Sequence, residues 1–110
     1  MNKVELQGFI GVNPKVFQTK NGKSAARFRL ATNERFRTLN GEWSSTTDWH
    51  NIILWDEEYQ SVKDHLKLGS QLHIVGKLTS QKYESKTGEI KYFYEVVGSK
   101  AEFVETNKEK

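Results

Sequence analysis

The sequence predicts an all-β fold: five strands coiled into a small Greek-key barrel, with one short helix between the third and fourth. Three observations predict it. Apolar and polar residues alternate along several short stretches, the period of a strand with one wet face. Glycines fall inside those stretches as well as between them, as a tightly coiled sheet requires. Helical spacing of apolar residues occurs once, between Asp56 and Leu68.

Lys3 to Ile10 reads as the first strand. Val4, Leu6 and Ile10 share one face; Lys3, Glu5, Gln7 and Phe9 share the other, and Gly8 marks a bend. Gly11 to Pro14 breaks the run, Lys15 to Thr19 is a short second stretch, and Asn21-Gly22 is a hairpin-type turn. Ser24 to Asn33 alternates again, with Ala26, Phe28, Leu30 and Thr32 inward and Arg27 and Arg29 outward. The pattern blurs from Glu34 to Arg37, Asn40-Gly41 marks a turn, and Glu42 to Thr46 reads as a polar loop carrying Trp43.

The central strand is Thr47 to Trp55, which holds two of the three tryptophans and no Gly or Pro. His50, Ile52 and Leu54 form a face suited to a core. Trp49, Asn51, Ile53 and Trp55 share the other face, with the two indoles about 20 Å apart at strand rise. Asp56 to Leu68 then reads as the helix: Tyr59, Val62 and Leu66 make one apolar stripe, Asp56 is a candidate N-cap, and Gly69 a candidate stop. Gln71 to Lys82 is a strand with Leu72, Ile74 and Leu78 inward and Gly76 as a bend. Lys86-Thr87-Gly88 turns the chain into a last strand, Ile90 to Val97. One domain is expected over residues 1–105, with a polar tail from Thr106 that frays. Five coiled strands with a helix after the third match a barrel of oligonucleotide-binding (OB) type; a flatter sandwich is the competing topology.

Composition narrows the function. The chain has 110 residues, a formal net charge of +3 and no cysteine, which excludes disulfides and thiolate metal sites. The modest positive excess permits a nucleic-acid partner without demanding one. Its distribution says more: Arg27, Arg29, Arg35 and Arg37 crowd one region, whereas Asp56-Glu57-Glu58 is acidic. The opening Met1 to Glu5 has no apolar signal core and no stretch suits a bilayer, so a cytoplasmic location is expected, or an organellar one after presequence removal. His50, His65 and His73 form no ligand-spaced cluster, and Asp48 with His50 lacks a third ligand. With no phosphate loop and no Gly-x-Ser-x-Gly turn, no catalytic residue, metal or cofactor is expected.

Two signals point to a ligand. Nucleobases present flat π-faces, so aromatic side chains on an open sheet hold a single strand without reading its sequence. The candidates are Phe36, Trp49, Trp55 and Tyr83; the competing reading for each is core or interface packing. The second signal is the basic set Arg27, Arg29, Arg35, Arg37, Lys77, Lys82, Lys86 and Lys91, suited to neutralising phosphates. Its competing reading is a solvated charged face. Basic residues flanking aromatics are more specific than either alone.

In order, Asn2-Lys3-Val4, Gly8 to Gly11 with Pro14, Asn21-Gly22, Leu30-Ala31-Thr32, Thr47-Asp48-Trp49-His50, Leu66 with Gly69-Ser70-Gln71, Val75-Gly76, and Tyr92 with Glu95-Val96-Val97 resemble the bacterial and mitochondrial single-stranded DNA-binding proteins. The resemblance covers roughly residues 2–97. It implies an OB-fold barrel that assembles mainly as homotetramers, with a dimer as the alternative, and binds single-stranded DNA without sequence preference in replication, recombination and repair. It also implies a nucleoid-associated location in a bacterium. The family's stacking aromatics map to Phe36, Trp49, Trp55 and Tyr83; members often carry Trp at the first and last and Phe at the third, swaps that keep a π-face. Its basic positions fall on Lys3, Arg37, Lys67, Lys82 and Lys91. The position after Trp49-His50, often Arg, is Asn51, whose amide can still reach a phosphate, and Arg27 and Arg29 offset the lost charge. His50 matches a residue associated with subunit contacts. Bacterial members usually end in a Gly/Pro/Gln-rich linker and an acidic tip that recruits repair enzymes. The chain ends at Lys110 with neither, so recruitment by a tip is not expected. Two other functions compete: an accessory module of a primosome-type assembly, its aromatic face and Trp43 gripping protein, and RNA binding.

Overall fold

The computed structural model describes residues 1–105, so the frayed tail expected from Thr106 lies outside the described residues. Six strands are formed: β1 (Val4–Ile10), β2 (Lys15–Gln18), β3 (Ser24–Arg37), β4 (Trp43–Trp55), β5 (Gln71–Glu84) and β6 (Ile90–Phe103). A short helix, α1 (Asp56–Val62), and a 3₁₀ turn at Lys63–His65 separate β4 from β5. The sheet order is β1-β5-β6-β4-β3-β2, and β1 pairs in addition with β3. Five strands thus close into the expected barrel. The short β2 lies along the part of the β3 edge that β1 leaves free: β1 takes Leu30 and Ala31, and β2 takes Ser24 to Arg27.

Closure depends on two places where backbones touch. Gly8 crosses β3 so closely that a Cβ there would overlap the Ala31 carbonyl oxygen. Gly76 sits at the register shift between β5 and β6, against the Val97 carbonyl oxygen. Both neighbours are backbone and cannot swing aside. Gly76→Ala is therefore expected to lower unfolding stability by about 1–3 kcal/mol, read as a lower urea midpoint at unchanged slope; an unchanged midpoint would show that the crossing has room for a methyl group.

Inside, Ile10, Phe28, Leu30, Ile52, Leu54, Leu72, Ile74 and Val96 pack together with Val62 of α1. Most are inward positions of the alternating runs; of the other expected inward residues, Val4 and Leu6 are partly buried against this core, Thr32 and His50 are half-buried, and Leu78 is 43% exposed. Leu78 follows the bulge at Gly76, where the β5–β6 hairpin begins to leave the barrel. The helical stripe behaves as its spacing predicts: Val62 is buried, and Tyr59 and Leu66 pack against the core. The helix itself is shorter than expected and gives way to the 3₁₀ turn after Val62. Asp56 does not cap it. Trp55 occupies the N-cap without a side-chain hydrogen bond, and Asp56 adopts φ 41° as the chain turns out of β4. Gly69, at φ 91°, lies beyond the helix and donates its N–H to the Ile10 carbonyl at 2.9 Å, which ties the turn to β1. No helix among the described residues is long and apolar enough to cross a membrane.

The largest departure is at the top of β3 and β4. These strands stay paired without interruption from Ala25↔Trp55 to Arg37↔Trp43. The polar loop expected at Glu42 to Thr46 is therefore strand, and the turn is confined to Thr38 to Glu42, where Thr38 N–H donates to the Glu42 carbonyl at 2.8 Å. Strands β5 and β6 likewise run on, to Glu84 and Phe103. Two long hairpins extend from one barrel.

Candidate nucleic-acid interface

In an antiparallel pair, residues directly opposite share a face. The unbroken β3–β4 register therefore sorts every side chain on the ribbon. One face carries Arg27, Arg29, Arg35 and Arg37 from β3 with Trp43, Trp49, Asn51 and Trp55 from β4. The reverse face carries Leu30, Thr32, Glu34 and Phe36 with Ser44, Asp48 and His50. All four arginines thus lie with three indoles on one surface.

The rings and guanidinium groups are paired. Arg29 lies 5.5 Å from the centroid of Trp49, which is 47% exposed. The Trp49 indole rests on Gly11, where any side chain would overlap the ring. Arg35 and Arg37 lie 4.8 and 5.1 Å from the centroid of Trp43, which is 58% exposed. Arg27 lies 5.6 Å from the ring of Phe17 on β2. Cation–π contact holds each ring and keeps the positive charge beside it. Trp43 and Trp49 are six residues apart on one strand, about 20 Å at strand rise.

Not every expected aromatic joins this surface. Trp55 is half-buried, with its ring edge-on to Phe17 at 5.9 Å; closing β2 onto β3 covers it. Ile53, grouped with the indoles by alternation, is 2% exposed, walled by Arg27 on β3 and Val97 on β6. Phe36 is exposed but projects from the reverse face, opposite Ser44. Tyr83 stands on the β5–β6 hairpin beside Phe93, with ring centroids 6.1 Å apart, and Lys91 lies opposite it on the same face. Lys82 is opposite Tyr92 and so projects from the other side of that hairpin. Lys67 is exposed in the turn after α1, and Lys3 lines a separate recess with Lys77 and Ser99.

Between the β1–β2 turn and the β5–β6 hairpin runs a groove of about 440 Å³. Lys15, Arg27, Arg29, Asn51, Tyr83, Phe93 and Glu95 line it, and the core side chains of Phe28 and Ile52 pack behind β3 and β4. Asn51 Nδ2 donates to the Tyr94 carbonyl at 3.2 Å, which spends one of its two N–H groups on bridging β4 to β6. Arg27 Nε donates to Glu95 Oε2 at 2.9 Å. His50 lies on the reverse face, half-buried, with Nε2 2.8 Å from Thr32 Oγ1. It cannot share a ligand with Trp49 across the ribbon.

Three residues of this surface escape the sequence reading, Phe17, Phe93 and Glu95, and Trp43 enters it only as a protein-gripping residue of the competing module. Alternation within Ile90 to Val97 does place Phe93 and Glu95 on the face of Lys91, but nothing local marks that face as the outer one. For Trp43, the only local signal is its even separation from Trp49.

Residues 1–104 match the model of the Single-strand binding protein family. Among curated proteins, the chain is 37% identical over 98 residues to single-stranded DNA-binding protein 1 of Chlorobaculum tepidum, covering 88% of this chain and 60% of that one. It is 36% identical over 99 residues to the single-stranded DNA-binding protein of Rhizobium meliloti, covering 88% and 57%. The chain therefore spans somewhat over half the length of these relatives. Among solved structures, it resembles an SSB of Plasmodium falciparum in complex with ssDNA, with a TM-score of 0.83, 29% identity and 96% of both chains covered. A deletion mutant of the single-stranded DNA binding protein from Thermus aquaticus shares the fold, with a TM-score of 0.80 at 21% identity over 96% of this chain and 51% of that one.

Proposed function

The chain belongs to the Single-strand binding protein family, and from that premise we propose that it binds single-stranded DNA through the aromatic–arginine face of the β3–β4 ribbon. One observation carries the reading. Trp43 and Trp49, both about half exposed, lie on a single face with Arg29, Arg35 and Arg37 against them. A duplex has no use for such a platform, because its bases are already stacked. An unpaired strand uses both parts: bases on the indoles, phosphates on the guanidinium groups.

The groove continues this surface towards Tyr83 and Lys91, so the path of the strand runs from the ribbon tip across the barrel to the second hairpin. Binding of this kind is sequence-tolerant and suits protection of exposed strands during replication, recombination and repair. A homo-oligomer extends the path over several barrels. The edge of β1 offers a contact for it: among the described residues, the stretch from Val4 to Gly8 pairs only with β5.

The test is titration with oligo-dT at low salt, followed by tryptophan fluorescence. The emission falls on binding, and Trp49→Ala weakens the affinity by about 1–3 kcal/mol. Phe36→Ala, on the reverse face, costs less than Trp49→Ala. A fluorescence signal that ignores oligo-dT at low salt would sink the proposal, and equal losses for the two variants would refute the assignment of faces. Parallel titration with oligo-U separates DNA from RNA preference.

A further inference from the structure

One group in the groove has the wrong charge for a phosphate-binding surface. Glu95 is 4% exposed, yet it lines the groove between Arg27 and Phe93. Paired with Arg27, its carboxylate gives a phosphate no attraction of its own; what it attracts is the N–H edge of a base. Its hydrogen bond from Arg27 Nε engages Oε2, and its other oxygen has no hydrogen-bond partner among the described residues. Buried acceptors are ordinarily satisfied. The wall on one side suits a flat ring: Tyr83 and Phe93, with ring centroids 6.1 Å apart, both line the groove.

Given the proposed binding of single-stranded DNA, on which this inference rests, we propose that the groove is a nucleobase subsite that favours guanine, with Glu95 as its selective group. Guanine is the base that presents two adjacent donors, N1–H and the N2 amine, to a carboxylate. Its O6 and N7 acceptors are the usual bidentate partners of an arginine, and Arg29 lines the same groove. Thymine has one donor, N3–H, flanked by two carbonyl oxygens that would face the carboxylate. Cytosine and adenine each offer an amine beside a ring acceptor. The stacking face then binds any strand, while this subsite sets the register of a strand that contains guanine.

The test is competition against a labelled oligo-dT by fluorescence anisotropy. The competitors are short dT tracts that are unmodified or carry one central dG, deoxyinosine or dC. The wild-type protein prefers the dG tract over unmodified dT by about fivefold or more. Deoxyinosine, which lacks the N2 amine, falls between them. In Glu95→Gln the amide oxygen must turn to Arg27 Nε, so the groove meets an N–H donor in place of an acceptor and the dG preference disappears. If that variant does not fold, the dG-against-deoxyinosine comparison on unaltered protein decides. Equal competition by all four tracts, with oligo-dT bound normally, overturns the subsite and leaves the stacking face standing. Failure to bind any tract overturns both.

Discussion

Replacing Trp43 and Trp49 together by alanine is expected to weaken oligo-dT binding by roughly 2–6 kcal/mol, twice the usual value for one base stacked on one aromatic ring. The expectation follows from geometry rather than from resemblance alone. Both indoles stand on one face of a ribbon whose register is continuous across the six residues between them. Their separation exceeds the spacing of adjacent stacked bases, so each engages a different nucleotide and the losses come close to adding. The charge beside them is untouched, because Arg29, Arg35 and Arg37 remain. The slope of log affinity against log salt should thus stay near its wild-type value in the double variant, while the intercept falls. Removing Arg35 and Arg37 does the reverse: the slope shrinks by about 1.4, at about 0.7 per phosphate contact on a single strand. Titrations at four or five salt concentrations separate the two effects. A double variant no weaker than Trp49→Ala would show that the strand never reaches the ribbon tip.

That Trp43 shares a face with Trp49 and the arginines was hidden from sequence reasoning for a physical reason. Barrel strands are wet on one face, and their alternation shows it: Ala26, Phe28 and Leu30, or Leu72 and Ile74, name the inner face unaided. The ribbon above the barrel is wet on both faces. From Glu34 to Arg37 and from Trp43 to Thr47 no apolar alternation survives, so strand reads as loop. The faces can then be assigned only by counting through an unbroken register, which depends on the absence of a bulge between Ala31 and Arg37. By that count Phe36 lies on the reverse face. Trp55 leaves the open surface for a different reason. Its parity with Trp49 is real, but Phe17 closes over it from β2, which pairs with β3. Glu95 stands within a recognised run, Glu95-Val96-Val97, yet its partner Arg27 is 68 residues away and meets it only when β3, β4 and β6 assemble. By contrast Gly8 and Gly76 were legible as bends, because a glycine within a strand signals close backbone approach wherever it occurs.

The same logic of close approach yields the second large effect, on stability. Leu54 is fully buried in the barrel core, and its Cδ2 fills the space above Gly98 on β6, where a Cβ would sit 2.5 Å away. Leu54→Ala removes most of a packed side chain and leaves a cavity, which costs about 2–5 kcal/mol. Gly98→Ala in the intact core is overpacked and costs about 1–3 kcal/mol. The two changes are complementary in shape. With Leu54 truncated, the new methyl at residue 98 enters the space left by Cδ2, and its next neighbours, Ile74 Cγ2 at 3.6 Å and the Ile53 carbonyl oxygen at 3.8 Å, are at ordinary contact. The Leu54→Ala, Gly98→Ala double variant should therefore be less destabilised than the sum of the single changes, with a favourable coupling of at least about 1 kcal/mol by urea unfolding. Strict additivity would mean that the Leu54 side chain does not occupy the space above Gly98, and that β4 packs on β6 otherwise than through this contact.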